Sequence, residues 1–148
     1  MEVKSLFDPT VKQEIISRIN RLTPATQHLW GKMDVAQMLT HVQRPIQFAY
    51  GHHEIKGNLF MKIFGPLFKK ILYNEKPYRR SLPTDKSYVV KDRHEFEREK
   101  QTLLELIDRF TEENIVREHH PVFGHLSKQQ WALASWKHLD HHLKQFGQ

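Results

Sequence analysis

His138 and His142 stand four residues apart in Lys137-His138-Leu139-Asp140-His141-His142-Leu143-Lys144-Gln145-Phe146, and their type and spacing imply chemistry more directly than any other pair in the chain. In a helix, that spacing sets two imidazoles about 40° apart around the axis and one turn apart along it, within reach of one ion. Imidazole is a ready ligand for divalent metals, but a metal held by side chains alone usually needs a third donor. His41 is the best candidate, because it borders the apolar stripe of a distant segment that can face the pair. His141, about 60° from His138 and 100° from His142, is less well placed and stands as an alternate ligand. Asp140 points away from both by more than a quarter turn. It suits a solvated carboxylate, or one that orients an imidazole by accepting its remaining N–H. Eleven of the 148 residues are histidine, so a His-x-x-x-His pair alone can arise by chance; the inward placement of the pair, and a further histidine beside the stripe of a helix that can face it, carry the argument.

The elements that must position these residues read as helices. Asp8-Pro9 opens the first, with Asp8 as cap, and Val11, Ile15, Ile16, Ile19 and Leu22 follow at helical spacing up to Thr23-Pro24. In the connection that follows, Trp30-Gly31-Lys32-Met33 supplies a glycine turn and large apolar groups to lid one end of the core. Asp34, with Gln37 three residues on, starts the second helix, whose inner stripe includes Met38, Leu39, Val42 and Ile46. Pro45 falls four residues after His41 and removes the donor that the His41 carbonyl would accept. A kink centred on His41 follows, which either accommodates a curved core or aims the imidazole inward. Gly51-His52-His53-Glu54 ends this helix.

Residues 58 to 72 read as two short helical pieces broken at Gly65-Pro66, densely apolar with lysines between. The favoured reading is a crossover packed over the bundle with its lysines in water; a membrane-surface or partner-binding element is the other. Residues 73 to 91, with Pro77 and Pro83, read as an extended connection suited to wall or lid a site. A third long helix is expected from about Asp92 to about Glu113, with Phe96, Leu103, Ile107 and Phe110 inward, Glu95, Glu97 and Glu99 outward, and His94 at the surface. Residues 114 to 126 return the chain through His119-His120-Pro121, and Ser127 with Gln130 caps the last helix. Trp131, Ala134, Ser135, His138, Leu139, His142 and Phe146 share its inward arc, and Gly147 stops it. The simplest architecture is one domain, an all-α four-helix bundle with a broken crossover between helices two and three.

Composition narrows the function. The absence of cysteine removes disulfides, thiolate ligands and a cysteine nucleophile together, and is compatible with cytosol. No apolar run approaches ~18 residues and the N-terminus lacks a secretory pattern, so a soluble cytoplasmic protein is expected. The net charge is +6, and residues 56 to 93 supply all of that excess, with ten Lys or Arg against three acids. Clustered charge alone permits nucleic acid, but no nucleic-acid-binding motif accompanies it.

Four motifs, Trp30-Gly31-x-Met33, Met38-Leu39-x-His41-Val42, His120-Pro121-x-Phe123-Gly124 and Lys137-His138-x-Asp140-His141-His142-x-x-Gln145-Phe146-Gly147, resemble a branch of the DinB/YfiT-like metalloenzyme superfamily labelled only as a domain of unknown function. The resemblance covers nearly the whole chain and is most specific in the terminal motif. It implies an up-down-down-up four-helix bundle with a metal, often nickel or zinc, between helices two and four, held here by His41, His138 and His142. Characterised members of that superfamily include enzymes that act with low-molecular-weight thiols, such as thiol transferases and a maleylpyruvate isomerase. A metal-dependent enzyme of thiol-transferase or hydrolase type, acting on an unidentified small molecule, is therefore expected; any thiol must come from a cosubstrate. His141, Asp140, His119, His120 and the basic residues of 76 to 80 are candidate auxiliary groups, and a homodimer is left open. The alternative is a non-catalytic stress-response or binding module whose basic segment docks an acidic partner.

Overall fold

Capping residues set the helix starts. A computed structural model describes residues 1–55, 59–80 and 89–148, with backbone only for residues 59–61. The Asp8 carboxylate accepts from the amides of Thr10 and Val11, and α1 spans Pro9–Asn20. Asp34 and Gln37 form a reciprocal capping box that starts α2, Val35–Ala49. Ser127 and Gln130 do the same for α5, Lys128–Gln145. Gly51 and Gly147 lie just past α2 and α5 with φ of 78° and 77°, left-handed conformations that stop a helix at little cost for glycine. The α2 helix runs unbroken through Pro45.

The chain is mostly helical: α3 spans Leu59–Phe68 and passes into a 3-10 turn at Lys69–Leu72, and α4 spans Phe96–Asp108. A two-residue antiparallel pair, β1 His119–His120 with β2 Gly124–His125, closes the segment before α5. Helix α2 packs on α4 and α5, and α1 packs on the same two helices from the other side. Ile15, Ile19, Leu39, Leu103, Ile107 and Phe110 meet there with no exposed surface. Two polar ties cross from α2 to α4. The Tyr50 hydroxyl donates to the Leu106 carbonyl at 2.8 Å, and the Gln43 amide donates to both the carbonyl and the carboxylate of Glu99 at 3.0 Å. Burial pushes the Glu99 carboxyl up, but hydrogen bonds from Arg98, Gln43, His94 and Thr40 outweigh it and hold the group below its ordinary value.

Several expectations change. The third long helix is shorter than expected, because Glu95 serves as its cap and accepts from the amides of Glu97 and Arg98. Glu99 is buried against α2 rather than turned outward. His94 is half-buried, 3.4 Å from Glu99. Gly65-Pro66 does not break α3. Gly65 instead lets the helix pack closely against its neighbour, since a Cβ there would collide with the Val122 carbonyl. The apolar residues on either side of it do not pack over the core: Ile63, Leu67 and Phe68 are exposed. No sequence pattern announced the β1–β2 pair, which is too short to show alternation. Residues 56–58 and 81–88, which hold the start of the expected crossover and the Pro83 part of the expected connection, lie outside the described residues. Among the described residues no helix is long and apolar enough to cross a membrane.

Candidate metal centre

Position 41 is carried into the interior by the α2 stripe, with Met38, Leu39 and Val42 around it each at or below 1 % exposure, and His41 itself is 5 % exposed. The last helix brings His138 and His142 to the same place from 97 residues further along the chain. His41 Nε2 and His138 Nε2 are 3.1 Å apart. The three ring centroids lie 4.6 to 4.9 Å from one another, and one nitrogen from each ring falls within 4.8 Å of the others. Three nitrogens around one tetrahedral ion, each about 2.05 Å from it, would sit roughly 3.3 Å apart. The observed spacing therefore suits a common divalent ion after small side-chain adjustments.

Protonation state suits the same role. Burial holds the His142 imidazole down to about 3, with the neighbouring His41 as a further cause, while the hydrogen bond that the ring donates to Gln145 acts in the other direction. Burial, then His142, His41 and His141, keep His138 well below its ordinary value. Both rings are accordingly neutral near pH 7 and offer lone pairs rather than protons.

A neighbouring amide selects which nitrogen of His142 is free. Gln145 Nε2 donates to the Trp30 carbonyl at 2.7 Å, and because a carbonyl can only accept, the Gln145 Oε1 must be the atom that faces His142. That oxygen is 2.7 Å from His142 Nδ1, so Nδ1 carries the proton and Nε2 keeps its lone pair. The Leu29 amide also donates to the Gln145 carbonyl at 2.7 Å, tying the Trp30-Gly31 turn to the end of α5. Gly31, with φ of 93°, permits that approach: a Cβ there would collide with the Gln145 amide. Gln145 entered the sequence analysis only as a position of the terminal motif, with no role at the centre, although its place three residues after His142 on one helix face is a readable signal.

The other candidate groups fall elsewhere. Asp140 neither meets solvent nor orients a histidine. It is buried on the far side of α5, where it pairs with Arg18 at 2.9 Å and Lys144 at 2.8 Å and joins α5 to α1. His120 is a builder of the β1–β2 turn. Its Nδ1 accepts from the amides of Val122 and Phe123, and its ring lies among Phe48, Phe123 and Trp131. His119 is exposed. His141 stays beside the centre, its ring 5.0 Å from that of His142, with Trp30 and Tyr78 against it at 5.9 and 5.6 Å. Burial lowers its ring from the ordinary value, although the Asp140 charge opposes this. Trp30 thus covers the flank of His141 rather than the end of the core, and the Arg80 guanidinium lies 4.5 Å over its indole.

Lys137 is a residue whose role the sequence concealed. It is 1 % exposed, and its ammonium donates to the carbonyls of Ile71 and Asn74 and to the Asn74 side chain at 2.6 to 2.9 Å. Burial brings it down to about 8. These bonds hold the segment that carries Tyr78 onto α5, so that Tyr78 lies between the Lys137 ammonium, 4.5 Å above its ring, and His141.

No curated protein and no solved structure matches this chain. A family model described as "Protein of unknown function (DUF1569)" matches residues 4–148, nearly the whole length, and the chain belongs to that family.

Proposed function

We propose that this protein binds a divalent metal, nickel or zinc, through His41, His138 and His142, and acts as a metal-dependent transferase or hydrolase of the DinB/YfiT-like type. The supporting observation is the convergence of three imidazoles from two remote helices on one point, with those of His138 and His142 kept neutral by their surroundings and Gln145 holding His142 in the ligating tautomer. The reading includes an up-down-down-up order for α1, α2, α4 and α5 in a single domain, and a cytosolic setting for a chain without cysteine. A divalent ion held there would lower the pKa of water or of an exogenous thiol toward neutrality. The chain's own groups then divide the work. The three histidines hold the ion, Gln145 fixes the His142 ring, and His141 with Trp30, Tyr78 and Arg80 forms a cationic and aromatic wall on one side for an anionic small molecule.

Elemental analysis of the purified, untagged protein tests this. One equivalent of metal is expected, lost in each of His41→Ala, His138→Ala and His142→Ala. A hydrogen bond between His41 and His138 would satisfy the 3.1 Å separation without an ion, and unchanged metal content across all three variants would establish that simpler arrangement. Gln145→Ala should leave the ligands in place yet weaken metal affinity by roughly tenfold to a hundredfold, as loss of a ligand-orienting partner does. Affinity equal to that of the parent would remove Gln145 from the centre.

A further inference from the structure

Helix α3 and the 3-10 turn after it face the wrong way for a crossover that covers a core. Ile63, Phe64, Leu67, Phe68 and Ile71 are 40 to 76 % exposed, and they make up five of the nine exposed large apolar side chains among the described residues. Ile63 and Leu67 repeat at four residues with Phe64 and Phe68 beside them, so they share an arc about 140° wide; Ile71 extends it. The opposite side holds Gly65, buried against the Val122 carbonyl, and Lys69, whose ammonium donates to the His125 carbonyl. Among the described side chains, Gly65 and Lys69 thus meet the rest of the fold, while Ile63, Leu67 and Phe68 point to solvent.

Charge accompanies that face. Between residues 59 and 80 there are six Lys or Arg against one acid, Glu75, an excess of five. Lys62 and Lys70 are exposed on the same helix and turn, and Lys76, Arg79 and Arg80 are exposed in the segment that follows. A second copy of the chain would bring two such cationic clusters together, which opposes a symmetric contact through this face. An acidic protein surface would meet the lysines but not five adjacent large apolar groups. A bilayer with anionic headgroups offers both in one plane: hydrocarbon a few ångströms down for the apolar arc, and negative charge at its rim for the cations.

We infer that α3 and the turn to Leu72 form a membrane-surface docking element, lying in the headgroup layer of anionic lipid without spanning it. The test is flotation of the full-length protein with vesicles of phosphatidylcholine, alone or mixed with phosphatidylserine. Binding to the mixed vesicles is expected, weakening as salt is raised. Leu67→Glu should reduce the bound fraction by roughly tenfold or more, and Lys62→Glu with Lys70→Glu should abolish the preference for phosphatidylserine. These side chains are exposed, so circular dichroism should show unchanged helix content in the variants. Failure to float with phosphatidylserine, or equal flotation of Leu67→Glu, would overturn the inference. So would a lipid-free dimer that Leu67→Glu converts to monomer in sedimentation velocity, which would assign the face to a second copy. Binding to polyglutamate but not to vesicles would assign it to an acidic protein and overturn it equally.

Discussion

Helix α5 carries Lys137, His138, Asp140, His142 and Gln145 toward the interior, whereas α3, the most apolar helix of the chain, carries Ile63, Leu67 and Phe68 out to solvent. The difference is one of partners. These polar groups of α5 meet complements on other elements: Arg18 for Asp140, the carbonyls of Ile71 and Asn74 for Lys137, Trp30 through Gln145 for His142, and His41 for His138. Burial of a polar group is costly only when it is left unpaired. The apolar arc of α3 has the converse character, since a contiguous exposed apolar face costs solvation until something covers it. One helix thus uses polarity to organise an interior site, and the other presents apolarity for contact outside the fold.

The largest effect should come from breaking a polar partnership on α5. Asp140→Ala leaves the buried Arg18 guanidinium without its carboxylate and is expected to lower stability by about 3 kcal/mol in chemical denaturation. A loss under about 0.5 kcal/mol would mean that the pair is effectively solvated and that α5 is not held to α1 in this way. A smaller, pH-dependent effect follows from the depressed imidazoles. Above pH 6.5 the folded and unfolded chains both hold His138 and His142 neutral. Below it the unfolded chain takes up protons that the folded rings do not, so stability of chelator-treated protein falls with pH toward the value of about 3 reached by His142. The slope is at most about 1.4 kcal/mol per pH unit for each group. Thermal midpoints measured from pH 7 to pH 5 should decline less steeply in His142→Gln, and parallel curves would contradict burial of that ring. The smallest effect belongs to α3. Leu67→Ser, at a side chain 76 % exposed, should alter stability by less than about 0.5 kcal/mol. A loss of several times that amount would show that the apolar arc is covered after all, and the contrast between the two helices would fail.

What was legible in the residues was mostly local. Asp8, Asp34 and Ser127 with their following residues announced the starts of α1, α2 and α5, because a cap acts within one turn. His138 and His142 could be read as neighbours for the same reason, as could the stripe that carries His41. The direction of α3 could not be read. Periodicity shows that a helix has an apolar face but not what lies opposite it, and in this chain a glycine packed against the Val122 carbonyl turned that face outward. Gly65-Pro66 looked like a break because glycine was weighed for its backbone freedom, when its use here is lack of bulk. Asp140 and Lys137 were equally opaque: a charged residue on a helix ordinarily reads as solvated, and their partners lie 122 residues and 63 to 66 residues away. Glu99 escaped for the same reason, its amide partner Gln43 being 56 residues distant.

The sequence by itself determined where α1, α2 and α5 begin, which faces of α2 and α5 are apolar, and that two histidines share one face of the last helix. These follow from hydrogen bonds and side-chain spacing within a turn or two of chain. Only the tertiary structure decided that His41 lies within 3.1 Å of His138, that Gln145 rather than Asp140 serves His142, and that α3 shows its apolar side to solvent. Each of those depends on which distant surfaces exclude water together, and spacing along one segment carries no record of that.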